Sequence, residues 1–404
     1  MNVIVIGGGA SGMIAAGFAA RNGNTVSLIE KNEKLGKKVY ITGKGRCNVT
    51  NVCLPSEFLE NVVSNPKFLM SAIHKFTSDN LIDFLEKQGL GITIERGDRA
   101  FPSSNRSSDV INTLQQFCVE NNVKLHLNTE VYDVLKLKNV FYLKTNKGEF
   151  TCDKLIIATG GMSYPSTGST GDGYKFAKKF GHNIIIPLPA LCPIFVKENW
   201  VGELEGLSLK NVTATVVRGD KVIASEFGEM LFTDKSLSGP IILTLSSKIT
   251  RLDKNDLKII IDLKPALSEA QLDQRLLREF TDTTNRDFKN CLGSLLPKSL
   301  IPVFIKLSGI EPLQKVNQIT AIQREKLVFL FKNVVFSVKC LDKLNNAIIT
   351  SGGVSTKEIN PKTMESKIVD GLYFTGEVID IDALTGGFNL QVAFSTGYLA
   401  GTSV

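Results

Sequence analysis

Val3-Ile4-Val5-Ile6-Gly7-Gly8-Gly9-Ala10-Ser11-Gly12 stands at the start of the chain. Its first four residues are an apolar run, too short for a helix and rich in β-branched side chains, and they read as a buried parallel strand. Gly7, Gly9 and Gly12 then fall in a G-x-G-x-x-G spacing. Met13-Ile14-Ala15-Ala16-Gly17-Phe18-Ala19-Ala20 behind them reads as a helix. After Arg21-Asn22-Gly23-Asn24 a second strand, Thr25-Val26-Ser27-Leu28-Ile29, ends on Glu30. Strand, glycine turn, helix, strand and acid form the pattern of a dinucleotide-binding βαβ unit, with Glu30 at the distance where a carboxylate accepts the hydroxyls of an adenosine ribose. Gly7 permits the tight turn, Gly9 lets backbone approach a pyrophosphate, and Gly12 lets helix pack closely on strand. The phosphates are expected on unpaired N–H groups at the positive end of the helix dipole. Glu30 argues against a 2′-phosphate, because the two anions would repel.

The composition bounds the rest. A chain of 404 residues, 43% hydrophobic and 22% charged, reads as a soluble globular protein of two or three domains. The net charge of +7 is spread out, and Lys34, Lys37 and Lys38, like Lys175, Lys178 and Lys179, read as short solvated clusters. With one Trp and no alternation of basic and aromatic residues, no nucleic-acid partner is expected. Cys47, Cys53, Cys118, Cys152, Cys192, Cys291 and Cys340 are odd in number and scattered, without a C-x-x-C. They suit a reducing cytoplasm and argue against a disulfide framework, a zinc site or a dithiol centre. His74, His126 and His182 are equally dispersed, so no metal is expected. The apolar N-terminus lacks the basic start of a signal peptide, and no stretch approaches a membrane span.

Residues 34–51 are rich in glycine and polar groups without helical periodicity and read as a long loop of the kind that carries function. Lys44 is followed by Gly45, so this is no Walker loop. Lys44, Arg46 and Asn48 are its candidate donors to a ring or an anionic substrate, against the alternative of a structural surface loop. Residues 66–90 read as helix, and Ser108 or Asp109 can open another. Arg96-Gly97-Asp98-Arg99-Ala100-Phe101-Pro102 between them is a turn-rich excursion with no legible role. Residues 131–137, 140–145 and 149–152 alternate with period two and form a three-stranded meander. Leu155-Ile156-Ile157-Ala158-Thr159-Gly160-Gly161 reads as a buried strand whose small end lets backbone approach a ligand. A helix then opens with Asp172 as its N-cap.

Pro187, Pro189 and Pro193 mark a domain boundary. Beyond it, residues 212–217, 222–227 and 258–263 read as strands. Ser268 with Gln271 and Thr320 with Gln323 fit capping boxes, and helices are expected near 269–280, 287–296, 299–307 and 321–331. Residues 334–338 and 348–349 return to strand. The expected fold is α/β: a Rossmann-like domain of parallel sheet and meander over 1–186 and 351–404, a β-barrel-like insert over 187–264 and 333–350, and a nested helical subdomain over 265–332. Near the C-terminus a strand ends in Gly376-Glu377, passes a glycine loop, and opens a terminal helix at Gly387-Phe388-Asn389-Leu390.

The N-terminal fingerprint, Val131, Ala158-Thr159-Gly160-Gly161 and Gly376-Glu377 together resemble the two-dinucleotide-fold FAD flavoproteins of the glutathione-reductase and fumarate-reductase superfamily. Gly171-Asp172-Gly173-Tyr174-Lys175-Phe176-Ala177 is similar to the fumarate-reductase branch. More closely, Gly43-Lys44-Gly45-Arg46-Cys47-Asn48, Gly228-Glu229-Met230-Leu231-Phe232-Thr233, Ser238-Gly239-Pro240 and Thr385-Gly386-Gly387-Phe388-Asn389-Leu390-Gln391 resemble the flavoprotein family that includes aminoacetone oxidase and a bile-acid dehydro-intermediate reductase.

The resemblance implies a noncovalent, extended FAD. Gly7, Gly9, Ala10, Ser11 and Gly12 would hold its pyrophosphate, Glu30 its adenosine ribose, and Lys31 and the Val131 backbone would flank the adenine. Gly45, Arg46, Ala158, Thr159, Gly160 and Asp172 would line the cofactor, with Gly376 and Glu377 near the ribityl chain. Gly387, Phe388, Asn389 and Leu390 would face the flavin pyrimidine, where a helix N-terminus stabilises the negative charge of the reduced ring. Lys44, Arg46 and Asn48 are the catalytic candidates. Cys47 reads as a bystander and Asn389 as a helix cap. No second G-x-G-x-x-G follows a strand, so an NADH or NADPH donor would reach the flavin from the insert's side. The implied activity is FAD-dependent hydride transfer to or from a small organic molecule. It is either an NAD(P)H-linked reductase of an activated C=C bond or an oxygen-using amine oxidase. A flavin-binding regulator or RNA-modification accessory is the reading from another class. The sequence specifies no oligomeric state.

Overall fold

The opening apolar run is a strand, β1 (Asn2–Ile6), with four successive buried residues. In the computed structural model, which describes residues 1–404, it leads into α1 (Ala10–Arg21) and β2 (Thr25–Ile29) as the glycine spacing predicts. Residues 34–51 are more ordered than a loop. They hold α2 (Lys37–Ile41), a 3-10 turn at Thr42–Gly45 and β3 (Thr50–Asn51). Only Val39 of α2 is buried, so no apolar periodicity announces that helix. After α3 (Pro55–Glu60), the single helix expected over 66–90 is two, α4 (Pro66–Lys75) and α5 (Ser78–Lys87). Thr77 divides them by accepting the Asn80 N–H as an N-cap.

The turn-rich excursion is a hairpin, β4 (Ile92–Glu95) and β5 (Arg99–Pro102), paired onward to β3. Then come α6 (Ser107–Glu120), β6 (Lys124–His126) and the meander β7 (Val131–Leu137), β8 (Val140–Thr145) and β9 (Gly148–Cys152). β10 (Lys154–Ile157), α7 (Asp172–Lys179) and β11 (Ile184–Ala190) complete this stretch.

Backbone contacts divide the chain into two units, residues 1–190 with 343–404, and residues 191–342. The second unit contains β12 (Ile194–Val196), β13 (Ser208–Arg218), β14 (Lys221–Phe232), β15 (Ser236–Ser238), α8 (Pro240–Ile249) and β16 (Leu257–Asp262). It continues with α9 (Glu269–Asp282), α10 (Leu300–Ser308), α11 (Ala321–Lys332) and β17 (Val334–Leu341). Its strands close a barrel in the order β12-β15-β14-β13-β16-β17. Ser268 with Gln271 and Thr320 with Gln323 form their capping boxes. The helix expected near 287–296 is only a 3-10 turn at Phe288–Asn290. There Phe288 N–H bonds to Gln314 O and Asp287 bridges Lys315, so pairing between segments overrides a helix-like apolar spacing.

The first unit resumes with β18 (Ile349–Val354), β19 (Leu372–Phe374) and α12 (Phe388–Ser403). Its main sheet runs β19-β10-β1-β2-β6, every neighbouring pair parallel. β18 pairs antiparallel with β11, and the expected boundaries at 187 and 350 fall inside that pair. α12 lies against α1 at backbone distance: a Cβ on Gly397 or Gly401 would sit 2.5 Å from the carbonyl oxygen of Ser11 or Ala15.

His182, just after α7, is buried against this sheet. Its Nε2 lies 2.8 Å from Ser366 Oγ and its Nδ1 3.2 Å from Ala177 O. Ser366 Oγ already accepts the N–H groups of Ile368 and Val369, so its own proton goes to Nε2 and the neutral ring carries hydrogen on Nδ1. Burial holds the His182 pKa below the usual histidine value. Protonation therefore favours the unfolded chain, and this contribution to stability, complete above about pH 6.5, is lost as pH falls. His182→Gln is expected to flatten the fall in urea midpoint between about pH 6.5 and 5, measured against wild type.

Candidate functional site

The glycine turn is fixed by contacts that exclude side chains. Gly7 (φ +107°) donates its N–H to Ile29 O at 2.8 Å, and a Cβ there would lie 2.5 Å from Ala158 O. A Cβ on Gly12 would stand 1.8 Å from Gly7 O. Gly9 differs, because a Cβ built on it meets no atom within 4 Å. It fronts open space at the start of α1, where Ala10 and Ser11 form the first turn and the leading N–H groups of a helix lack intrahelical partners.

Glu30 is buried and braces this turn. Its Oε2 accepts Gly8 N–H at 2.7 Å, and its Oε1 accepts the Asn32 backbone N–H at 2.8 Å and Nδ2 at 2.6 Å. Lys31 Nζ lies 2.6 Å from both Asp172 Oδ2 and Thr170 Oγ1. Asp172 is the first residue of α7 rather than its cap, a role taken by Gly171 at φ +81°. The Asp172 carboxylate is held by Lys31 and Thr170, which draw its pKa below the usual range although burial opposes them. Val131 is buried at the start of β7, opposite Thr145.

Opposite α1, the carboxyl ends of β10 and β19 supply small and polar groups. Ala158 abuts Gly7, and Gly160 is left-handed. Thr159 Oγ1 and Thr375 Oγ1 are buried without a partner in the protein. Gly376 (φ +72°) passes so close to α1 that a Cβ would reach Ser11 Oγ at 2.6 Å. Glu377 then accepts from Lys38 Nζ at 2.6 Å, Ser163 Oγ at 3.0 Å and Thr350 N–H at 2.9 Å. Lys38 Nζ also reaches Ser163 Oγ at 2.6 Å. Lys38, Ser163 and Thr350 carry no motif, and segments so far apart in sequence give no local signal of their meeting.

At the start of α12, Gly387 (φ +100°) lies against β3: a Cβ there would be 2.4 Å from the Thr50 carbonyl carbon. Asn51 Nδ2 bridges Gly97 O at 3.0 Å and Gly386 O at 3.4 Å. Phe388 packs edge-on to Phe58, and Leu390 is half-buried. Asn389 does not cap the helix, whose N-cap is Gly387. It clamps the preceding loop instead, accepting Ala383 N–H at 2.9 Å and donating to Ala383 O at 2.7 Å.

The three donors of the 43–48 segment part company. Lys44 is exposed on a left-handed backbone (φ +57°) after Gly43, and Gly45 is left-handed as well. Arg46 turns to β4 and the residues before α6, pairing with Glu95, donating from Nε to Asn105 Oδ1 at 2.8 Å, and stacking 4.2 Å from the Phe101 ring. The hydrogen bond from Arg46 lowers the Glu95 pKa. Asn48 Oδ1 is buried without a protein partner. Cys47 is fully buried, and burial pushes its thiol up to about 12, so it supplies no thiolate at neutral pH. No three His, Cys, Asp or Glu side chains converge as a metal site, and no helix is long and apolar enough to cross a membrane.

These residues fit an extended dinucleotide. Gly9 leaves room for a pyrophosphate at α1, Glu30 Oε2 retains one acceptor site beside its three donors, and Thr159 Oγ1, Thr375 Oγ1 and Asn48 Oδ1 are buried without protein partners.

A family model described as the HI0933-like protein Rossmann domain matches residues 1–403. The chain is 32% identical over 402 residues to the 3-dehydro-bile acid delta(4,6)-reductase of Clostridium scindens, covering 98% of this chain and 97% of that protein. It is 31% identical over 408 residues to the ribosomal RNA dihydrouridine synthase of Haemophilus influenzae, covering 99% and 98% of the two chains. Among solved structures, the 3-ketosteroid-delta4-(5alpha)-dehydrogenase of Rhodococcus jostii shares the fold at a TM-score of 0.53 and 14% identity, over 99% of this chain and 96% of that one. The ribosomal RNA enzyme among these relatives leaves the expected exclusion of nucleic acid without support.

Gly9 and Gly12 separate binding from folding. Gly9→Val is expected to leave the apoprotein within about 0.5 kcal/mol of wild type in urea unfolding yet abolish uptake of added FAD. Gly12→Val should cost about 3 kcal/mol of stability by overpacking the turn. The two measurements are denaturant titration and flavin fluorescence quenching.

Proposed function

The chain belongs to the HI0933-like family and is an FAD-dependent oxidoreductase, and we propose that it saturates a C=C bond conjugated to a carbonyl, its substrate a uracil ring within RNA. What carries the reading is that the two relatives, each matched end to end, are named for the same bond change. A delta(4,6)-reductase of a 3-oxo steroid and a dihydrouridine synthase both add two hydrogens across a C=C activated by a ring carbonyl. When bound, the reduced flavin would supply a hydride to the β-carbon, with NADH or NADPH as the source of that hydride, and the α-carbon would take a proton.

The chain's own residues divide the remaining work. Gly7, Gly9, Ala10, Ser11 and Gly12 would seat the pyrophosphate, and Glu30, Lys31, Asp172 and Val131 would hold the adenosine half. Ala158, Thr159, Gly160, Gly376 and Glu377 line the middle. Gly387, Phe388, Asn389 and Leu390 open α12, whose N-terminal N–H groups would stabilise negative charge on the bound ring. Asn48 Oδ1, an acceptor without a protein partner, suits the imide N–H of a uracil. Lys44, the exposed cation of the same segment, suits its carbonyl or a flanking phosphate. Arg46 is a positioning residue, because its guanidinium is already engaged by Glu95, Asn105 and Phe101.

The test is anaerobic. NADH or NADPH should bleach the flavin of the purified protein, and protein-free ribosomal RNA should restore its colour while dihydrouridine, counted by mass spectrometry, forms mole for mole with donor consumed. Asn48→Ala should lower kcat/KM for RNA about three- to tenfold, the worth of one neutral hydrogen bond. Recolouring by a steroid dienone but not by RNA would refute the substrate. Bleaching by an amine alone, with recolouring by oxygen alone, would refute the reductase.

A further inference from the structure

We infer that the face built from α2, the Thr42–Gly45 turn, the β4–β5 hairpin and the residues just before α6 is the surface on which RNA docks; the inference rests on the substrate reading above. Four segments without a shared motif meet there. The Phe101 ring is buried beneath two guanidinium groups, Arg46 at 4.2 Å and Arg99 at 6.0 Å. Arg99 Nε donates to Arg96 O at 3.0 Å across a turn in which Gly97 and Asp98 are both left-handed. That turn presents Arg96 and Arg99 to solvent. Arg46 reaches Asn105, and Arg106, next in the chain, is exposed. Ser107 Oγ donates to Tyr40 O at 2.7 Å and so ties α6 to α2. Tyr40 is 52% exposed, with Lys34 Nζ 5.5 Å from its ring centroid.

Lys34, Lys44, Arg96, Arg99 and Arg106 are thus exposed cations on or beside these segments, with Lys34 next to the exposed Tyr40. Two of the nearby carboxylates are ion-paired, Glu33 with Lys37 at 2.8 Å and Glu95 with Arg46, leaving Asp98 at the hairpin tip and Asp109, which accepts from Ser108 Oγ at 3.2 Å, against five exposed cations. Guanidinium groups resting on a buried ring lose less freedom when they bind phosphate than free lysines do. An exposed tyrosine offers a stacking platform for an unpaired base, which a compact small molecule would not require.

The face is joined to the reaction end of the site. Val49 N–H bonds to Ala100 O and Val52 N–H to Asp98 O, so the hairpin is stitched to both flanks of β3. β3 is the strand that lies against Gly387, and Asn51 bridges the hairpin and the α12 loop. A base delivered to that end brings its own backbone past these arginines, where phosphate contacts fix register without reading sequence.

The test uses the flavin-loaded protein, a labelled protein-free ribosomal RNA transcript, and fluorescence anisotropy over a range of KCl. Arg96→Glu with Arg99→Glu should weaken binding more than tenfold and lower the salt slope by about two. Lys357→Glu with Lys362→Glu, equal in charge but placed in the segment leading into β19, should change affinity less than twofold. The flavin spectrum and its bleaching by NAD(P)H should match wild type in both. Equal affinity of the arginine variant and wild type, equal loss in the two variants, or competition by polyglutamate as strong as by RNA would overturn the surface. Dihydrouridine formation unchanged in R96E/R99E would overturn it while leaving the proposed reaction intact. RNA bound through this face but never reduced would instead overturn the reaction and leave the surface standing.

Discussion

The site exists because Ser11 has no room around it. Gly376 and Gly397 both approach it so closely that a Cβ on either would meet Ser11 atoms at 2.5–2.6 Å. Ser11 sits in the first turn of α1, so these contacts set the end of β19 and the body of α12 against the phosphate-binding turn. Interior packing at this density transmits a displacement rather than absorbing it. A larger residue at any of the three positions would push α1 away from the end of β19 or the body of α12.

The parts of the molecule marked by a local signal were the parts that could be read from the sequence. The meander alternates with period two, both capping boxes keep their three-residue spacing, and the glycine spacing marks the βαβ opening; each forms where it predicts. α1 and α12 are buried on most sides, so their glycine turns rather than an apolar stripe announce them. Elements held by partners elsewhere were not legible. α2 buries one residue, and the 287–296 segment has a helical apolar pattern that pairing with residues 314–315 overrides. The same distinction runs through the site. Gly7, Gly9, Gly12 and Glu30 announce themselves in one stretch, whereas Lys38, Ser163, Thr350 and Glu377 meet only in three dimensions.

The charge of the chain shows why a composition reading fails at its surface. A net +7 spread over 404 residues predicts nothing local; Lys34 reads as part of a short solvated cluster, and Arg96, Arg99 and Arg106 stand in no basic run. Hydrogen bonds from Asn51, Arg46 and Ser107 draw their segments onto one face, while Glu33 and Glu95 are paired with Lys37 and Arg46. Arg46, which its motif marks as a donor to a ligand, spends its guanidinium in building that face. Cys47 beside it is packed as an inert thiol.

The bond between Ser11 and Thr375 spans 364 residues. A ribosome therefore releases α1 long before the strand and helix that cover it exist. Throughout that interval the small-residue face of α1 has no native neighbour, and non-local closure of this kind is slow. The turn that opens α1 therefore stays without its closing partners through most of the chain's synthesis, an interval set by the order in which these elements are translated.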